Sequence, residues 1–350
     1  MSDFVLFDRS PDSLYFGVPL RYAVDLPVLG IPVKFESNSP AALDVVEGSF
    51  GTWRALHGRP ELIAPEGVRV RLIVHDGDEG GASHPPLTCR MPDRDRYIVH
   101  TPGSLSITDC RRREAVAYVT PALLADRAHV QYGVVEGMAL CLVTACGRYP
   151  LHAAAIARGD VALLLAGPPG TGKSTLAYQA GRGGFRVLSD DSAYVQLEPV
   201  FRLWGRPGRV YLPPSACSHF PELAGRTPSL LTDGSEKAVV PIPAGWEVRG
   251  VGQTGEAGGV APVASRVGVC LLERTGGGQR APFSSPASPQ EVQSFLKEGV
   301  GISRVRFGDE LDQALARVAG AGGWRLSLSQ NPADALPFLE AMLVELEGRG

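Results

Sequence analysis

Residues Gly167 to Ser174 read GPPGTGKS, a full match to the pattern GxxxxGK[ST], which wraps nucleotide phosphates. Each residue type there answers a physical need. Gly167, Gly170 and Gly172 free the backbone to take φ > 0 and to bring successive N–H groups against phosphate oxygens, where a Cβ would obstruct them. Pro168, Pro169 and Thr171 fill the loop between the glycines. Lys173 supplies a compact positive charge for the β- and γ-phosphates, and the Ser174 hydroxyl is a ligand for Mg²⁺. Thr175 begins a breaker-free run that opens a helix, whose N-terminus adds free N–H groups and the positive end of its dipole to the same anion site.

A second constellation follows closely. Ser189-Asp190-Asp191 ends the short apolar run Phe185 to Leu188, and Asp190 lies 17 residues after Lys173. A strand that returns so soon through one short helix belongs to the sheet of the loop strand, Val161 to Ala166, with its carboxyl end on the loop side. Consecutive strand residues point opposite ways, so the two carboxylates divide their work. One faces Lys173 and a metal, and the other faces an incoming hydroxyl. Upstream, LHAAAIA and VALLLAG flank the turn Arg158-Gly159-Asp160. They read as a hairpin that sets His152 beside the loop strand, within reach of phosphates or carboxylates, although an alanine-rich run also suits a helix. Arg206 and Arg209, in the Arg/Gly/Pro-rich stretch Gly205 to Pro214, suit phosphate or substrate contacts and equally suit plain surface charges, and Lys237 is a further cation for such contacts. Arg111, Arg112 and Arg113 fit a solvated hairpin turn instead.

The order His, short strand, glycine-rich loop, short helix, aromatic-Arg-hydrophobic-Ser-Asp-Asp resembles the bacterial HPr kinase/phosphorylase superfamily, and in style its relatives that tailor peptides, such as lasso-peptide kinases. The resemblance spans about 50 residues from Leu151. It implies an α/β fold, a P-loop kinase core of the HPr kinase and phosphoenolpyruvate carboxykinase type, with ATP and Mg²⁺ as cofactors. By that resemblance Asp191 is the base toward a serine hydroxyl, Asp190 stands near metal and Lys173, and His152 assists at the phosphate. No counterpart of an IRGLG-type signature follows the acidic pair; the chain continues WGRPGRVYLPPSACSHFPEL. What the resemblance alone implies for the acceptor is a serine of a peptide or small protein, with a small alcohol as the alternative. A homo-oligomer is left open.

Other classes are weighed against the same residues. A nucleotide hydrolase would carry an NKxD motif or a distant hydrophobic run ending in Asp-Glu, and neither is present. A nucleotide-sensing module would not need two carboxylates. A decarboxylating kinase would need an oxaloacetate site, and none is identifiable.

Positioning these groups requires a long chain, and this one has 350 residues, 44% hydrophobic and 20% charged. That is ample for a core without disulfide staples. The formal net charge of −3 offers no electrostatic footprint for nucleic acid and no polybasic membrane anchor. The six cysteines show neither CxxC pairing nor zinc spacing. With no signal peptide or apolar span evident, the expectation is a cytoplasmic enzyme. Residues 1–120 read as a strand-rich, mixed α+β accessory domain, with Ala41 to Phe50 as a short helix. Residues 121–148 read as one connecting helix, and 149–350 as the nucleotide-binding kinase domain. Within the last, Gly245 to Ala264 suits a loop or lid, Gly276 to Pro289 a connection, and Ala333 to Leu346 a terminal helix packed on the sheet, with a subunit-joining helix as the alternative.

Overall fold

The strands β1 (Tyr22–Val28) and β2 (Ile31–Ser37) pair antiparallel. Every second residue of β2 is fully buried, as expected of a strand with one face on a core. The computed structural model describes residues 17–77, 87–206, 208–230, 235–242, 262–274, 281–299 and 303–349. It is mixed α/β with several sheets, in two compact units. The first unit comprises Met1–Gly51 and Ala64–Leu142; the second comprises Thr52–Ile63 and Val143–Gly350.

In the first unit, β3 (Val68–Val74), β4 (Thr88–Arg90), β5 (Arg96–Thr101), β6 (Ser104–Asp109) and β7 (Glu114–Val119) complete a seven-stranded sheet of order β1-β2-β3-β7-β6-β5-β4. Helix α1 (Pro40–Phe50) buries Ala42, Val45, Val46 and Phe50, and the Phe50 ring stacks on Phe35 at 5.8 Å. The β6–β7 turn carries the three arginines, of which Arg111 pairs with Asp95 and Arg113 with Glu66.

The single helix expected over residues 121–148 is instead broken. Helix α2 (Pro121–Ala125) stops at Asp126, whose carboxylate caps the next turn, α3 (Arg127–His129), by accepting from the His129 amide at 3.2 Å. A π-helical stretch Val130–Glu136 follows, then α4 (Gly137–Ala145). A capping Asp inside an apolar helical pattern restarts the helix rather than continuing it.

In the second unit the chain forms β8 (Tyr149–His152), β9 (Ala154–Arg158), β10 (Val161–Ala166), α5 (Lys173–Arg182), β11 (Arg186–Ser189), β12 (Ser192–Gln196), β13 (Arg202–Trp204) and β14 (Arg209–Leu212). Then come α6 (Pro214–Cys217), β15 (Ser229–Leu230), β16 (Glu236–Pro241), β17 (Val263–Ala264), β18 (Arg266–Arg274) and β19 (Phe283–Ala287). Helices α7 (Pro289–Glu298) and α8 (Ser303–Ala319), strand β20 (Gly323–Leu328) and helix α9 (Leu336–Gly348) complete it.

The main sheet has the order β11-β9-β10-β18-β20-β19. Strand β10 is buried throughout, because both faces are covered. Val161, Leu163 and Leu165 join a core with α5 and with Leu339, Met342, Leu343 and Leu346 of α9. Ala162, Leu164 and Ala166 face a second core with α7 and α8. A continuous apolar run is what such a two-sided strand requires. A four-stranded sheet, β17-β13-β12-β8, adds Leu151, Ala193, Val195 and Leu203 to the second core, and a three-stranded sheet has the order β14-β16-β15. The segment Thr52–Ile63 belongs to this unit, where the buried Trp53 ring lies 6.2 Å from that of Trp204.

The stretch expected as a lid lies outside the described residues through position 261, and its last two residues form β17. Where a plain connection was expected after Gly276, β19 forms the edge of the main sheet; 275–280 lie outside the described residues. Among the described residues, no helix is long and apolar enough to cross a membrane.

Candidate active site

The glycine-rich loop leaves the carboxyl end of β10 and enters α5 at Lys173. Two close approaches fix its shape. A Cβ on Gly167 would meet Thr171 Oγ1 at 2.5 Å and the Leu272 carbonyl oxygen of β18 at 3.1 Å. Gly170 and Gly172 take φ of 82° and 106°, a region that side chains with a Cβ avoid. Gly172 is the N-cap of α5, and no side chain caps that helix end. Its first-turn amides therefore present the anion-attracting pole of the helix. Lys173 is buried, and its Nζ donates to the carbonyls of Gly167 at 2.8 Å and Pro168 at 3.4 Å. Burial holds its ammonium below the ordinary lysine value, while the charges of Asp191 and Asp190 pull the other way.

Strand β11 runs antiparallel to β9, which runs antiparallel to β10. Hence β11 points the same way as the loop strand and delivers its carboxyl end to the same side of the sheet. There the chain leaves the main sheet through Asp190 and Asp191 and enters β12 of the four-stranded sheet. The two carboxylates part company at this crossing. Asp190 is only 3% exposed, and its Oδ2 accepts the Tyr211 amide of β14 at 2.7 Å. Burial pushes its carboxyl up to about 7, against the Tyr211 amide and the Ser174 hydroxyl, which both favour the charged form. Its Oδ1 is buried without a hydrogen-bond partner. Asp191 faces outward, with a side chain 60% exposed, and its Oδ1 lies 3.3 Å from His152 Nδ1.

His152 does not belong to the hairpin expected for it. The hairpin is β9 with β10, and His152 ends β8, in the other sheet, paired with Ser192 of β12. The chain changes sheets at Ala153 and again at the acidic pair, so His152 still meets Asp191. Lys237, on β16, stands close enough for its charge to act on both Lys173 and Asp190. Arg209 opens β14 two residues before Tyr211, and Arg206 precedes that strand.

Two participants escaped the sequence. Tyr211 acts through its backbone amide, for which side-chain types give no signal. Arg274 ends β18, the strand parallel to β10 with Leu271 opposite Ala166. Its Nε donates to the Thr171 carbonyl of the loop at 3.1 Å. A charged residue closing an apolar strand was the available clue, and its bearing needed the strand order.

Among the described residues no cluster of three or more His, Cys, Asp or Glu could hold a metal ion. The groups suited to a divalent cation are the Ser174 hydroxyl and the neighbouring carboxyl of Asp190, whose Oδ1 is buried without a hydrogen-bond partner. Two protein oxygens suit Mg²⁺, which fills its remaining positions with water and phosphate.

No protein-family model matches the chain, and no curated protein matches it. Among solved structures, the Hpr(Ser) kinase/phosphatase from Coxiella burnetii is similar at 14% identity and a TM-score of 0.28, over 57% of this chain and 99% of that chain. The site therefore rests on its own geometry.

Proposed function

We propose that the second unit is a P-loop kinase core of HPr kinase type, moving the γ-phosphoryl group of ATP to a hydroxyl, with a serine of a peptide or small protein as the acceptor. The observation that carries this reading is the pair of carboxylates split between two environments at the mouth of the glycine loop. One is buried beside Ser174 with an idle oxygen, and the other is exposed and held by His152.

The loop amides and Lys173 hold and neutralise the polyphosphate. Ser174 and Asp190 would hold Mg²⁺, which would supply neutralising charge to the phosphates. Asp191 accepts the proton of the acceptor hydroxyl as that oxygen forms its bond to the γ-phosphorus. The bond from phosphorus to the β,γ-bridging oxygen breaks, and ADP leaves. His152 Nδ1, beside Asp191 Oδ1, orients the carboxylate toward the acceptor.

The test is incubation with γ-labelled ATP, Mg²⁺ and a peptide or extract pool, with acceptors identified by mass spectrometry. Wild type labels a serine-bearing acceptor, and label on a small alcohol alone would move the acceptor class. Asp191→Asn binds nucleotide within a few-fold of wild type but loses transfer by about 10²-fold or more. Near-normal transfer by that variant, or hydrolysis without any labelled acceptor, overturns the reading.

A further inference from the structure

We infer that Arg274 is a second phosphate-binding arm of the site, gripping the part of a nucleoside di- or triphosphate that is not transferred. This rests on the nucleotide reading above and deepens it.

The sheet order decides which end of the ligand Arg274 meets. Strand β10 lies between β9 and β18, and β11, which delivers the carboxylates, lies beyond β9. The acidic pair and Arg274 therefore flank the glycine loop from opposite sides. Strands spaced by about 4.8 Å separate these carboxyl ends by roughly three spacings, or about 14 Å. Phosphoryl transfer takes place where the carboxylates are. A cation on the far flank meets the diphosphate portion that stays behind as leaving group.

Arg274 is also held ready. Its Nε bond to the Thr171 carbonyl uses one of five guanidinium N–H groups. Its Nη2 lies against Gly172, where a Cβ would sit 3.2 Å away. Among the described residues no carboxylate pairs with it. A planar guanidinium, fixed on one edge and carrying further donors at the rim of an uncapped helix N-terminus, fits two phosphate oxygens better than a lysine would.

The experiment measures ADP affinity by calorimetry, and kcat and KM for ATP, in wild type, Arg274→Ala and Arg274→Lys. The exposed position of Arg274 should leave both variants folded, which circular dichroism checks. Expected is about a tenfold rise in both the ADP Kd and the ATP KM for Arg274→Ala, with a smaller rise for Arg274→Lys. kcat stays within about threefold, the signature of a contact made equally before and during transfer. An unchanged ADP Kd overturns the inference. So does a fall in kcat matching the rise in KM, which would mean that Arg274 only props the loop carrying Lys173. Wild type that binds neither ADP nor ATP would defeat the nucleotide reading itself, a result distinct from both.

Discussion

Asp190 holds a carboxyl group in conditions that favour its neutral form. Its ordinary value is near 4, and burial lifts it to about 7 in the folded chain. Between those values the folded state retains a proton that the unfolded state has released. Stability of the metal-free protein therefore falls as pH rises from about 4 to about 7. Asp190→Asn removes this penalty while an amide oxygen still accepts from Tyr211. Thermal melting should be unchanged near pH 4 and raised by about 5–10 °C at pH 8; an equal shift at both values would place the effect outside ionisation. At this scale much was legible. Residue type and spacing single out Lys173, Ser174, Asp190 and Asp191, because a phosphate cradle needs particular chemistry in a short span, whereas His152 reaches Asp191 by a route other than the hairpin expected for it. The uneven burial of the two acids was legible only as opposite directions, since the depth of Asp190 depends on distant strands: the Tyr211 amide of β14 bonds it, and the charge of Lys237 on β16 reaches it.

Elements, rather than residues, explain why the loop tolerates so little. Gly167 is pinned between the Thr171 hydroxyl, itself bonded to the Pro168 carbonyl at 2.8 Å, and the backbone of β18. Gly170 has open space around it, and only its φ of 82° is restrictive. Alanine at 167 should displace the loop and weaken nucleotide binding by at least about tenfold. Alanine at 170 should cost about 1–2 kcal/mol of stability with a milder binding defect. Parallel melting and ADP titration of the two variants separate these effects. The β9–β10 hairpin was readable from its turn residues, whereas the sheet change at Ala153 was not. LHAAAIA is apolar without punctuation, and a strand that hands over between sheets looks locally like one that continues. The broken helix before α4 has the same origin, one capping aspartate within an otherwise regular apolar rhythm.

At the scale of the whole chain, the two units interleave. Thr52–Ile63 precedes most of the first sheet in sequence yet belongs to the second unit, where Trp53 and Leu56 are buried. Composition does not reveal this, because a tryptophan in a short turn-rich segment is equally at home in either core. Trp53→Ala should destabilise the second unit by about 3–5 kcal/mol, read as a lowered denaturation midpoint. A fragment of residues 143–350 should melt well below the same region in the intact chain, and adding a 52–63 peptide should partly restore it; equal melting of fragment and intact chain would show that the segment is dispensable. The interleaving also sets a schedule during synthesis. Trp53 emerges from the ribosome about 150 residues ahead of Trp204, a wait of roughly 8–30 s at ordinary elongation rates. Over that interval a bulky indole is left to the nascent chain's surroundings, so cells that slow translation or lack holdase chaperones should accumulate more of this protein in aggregates.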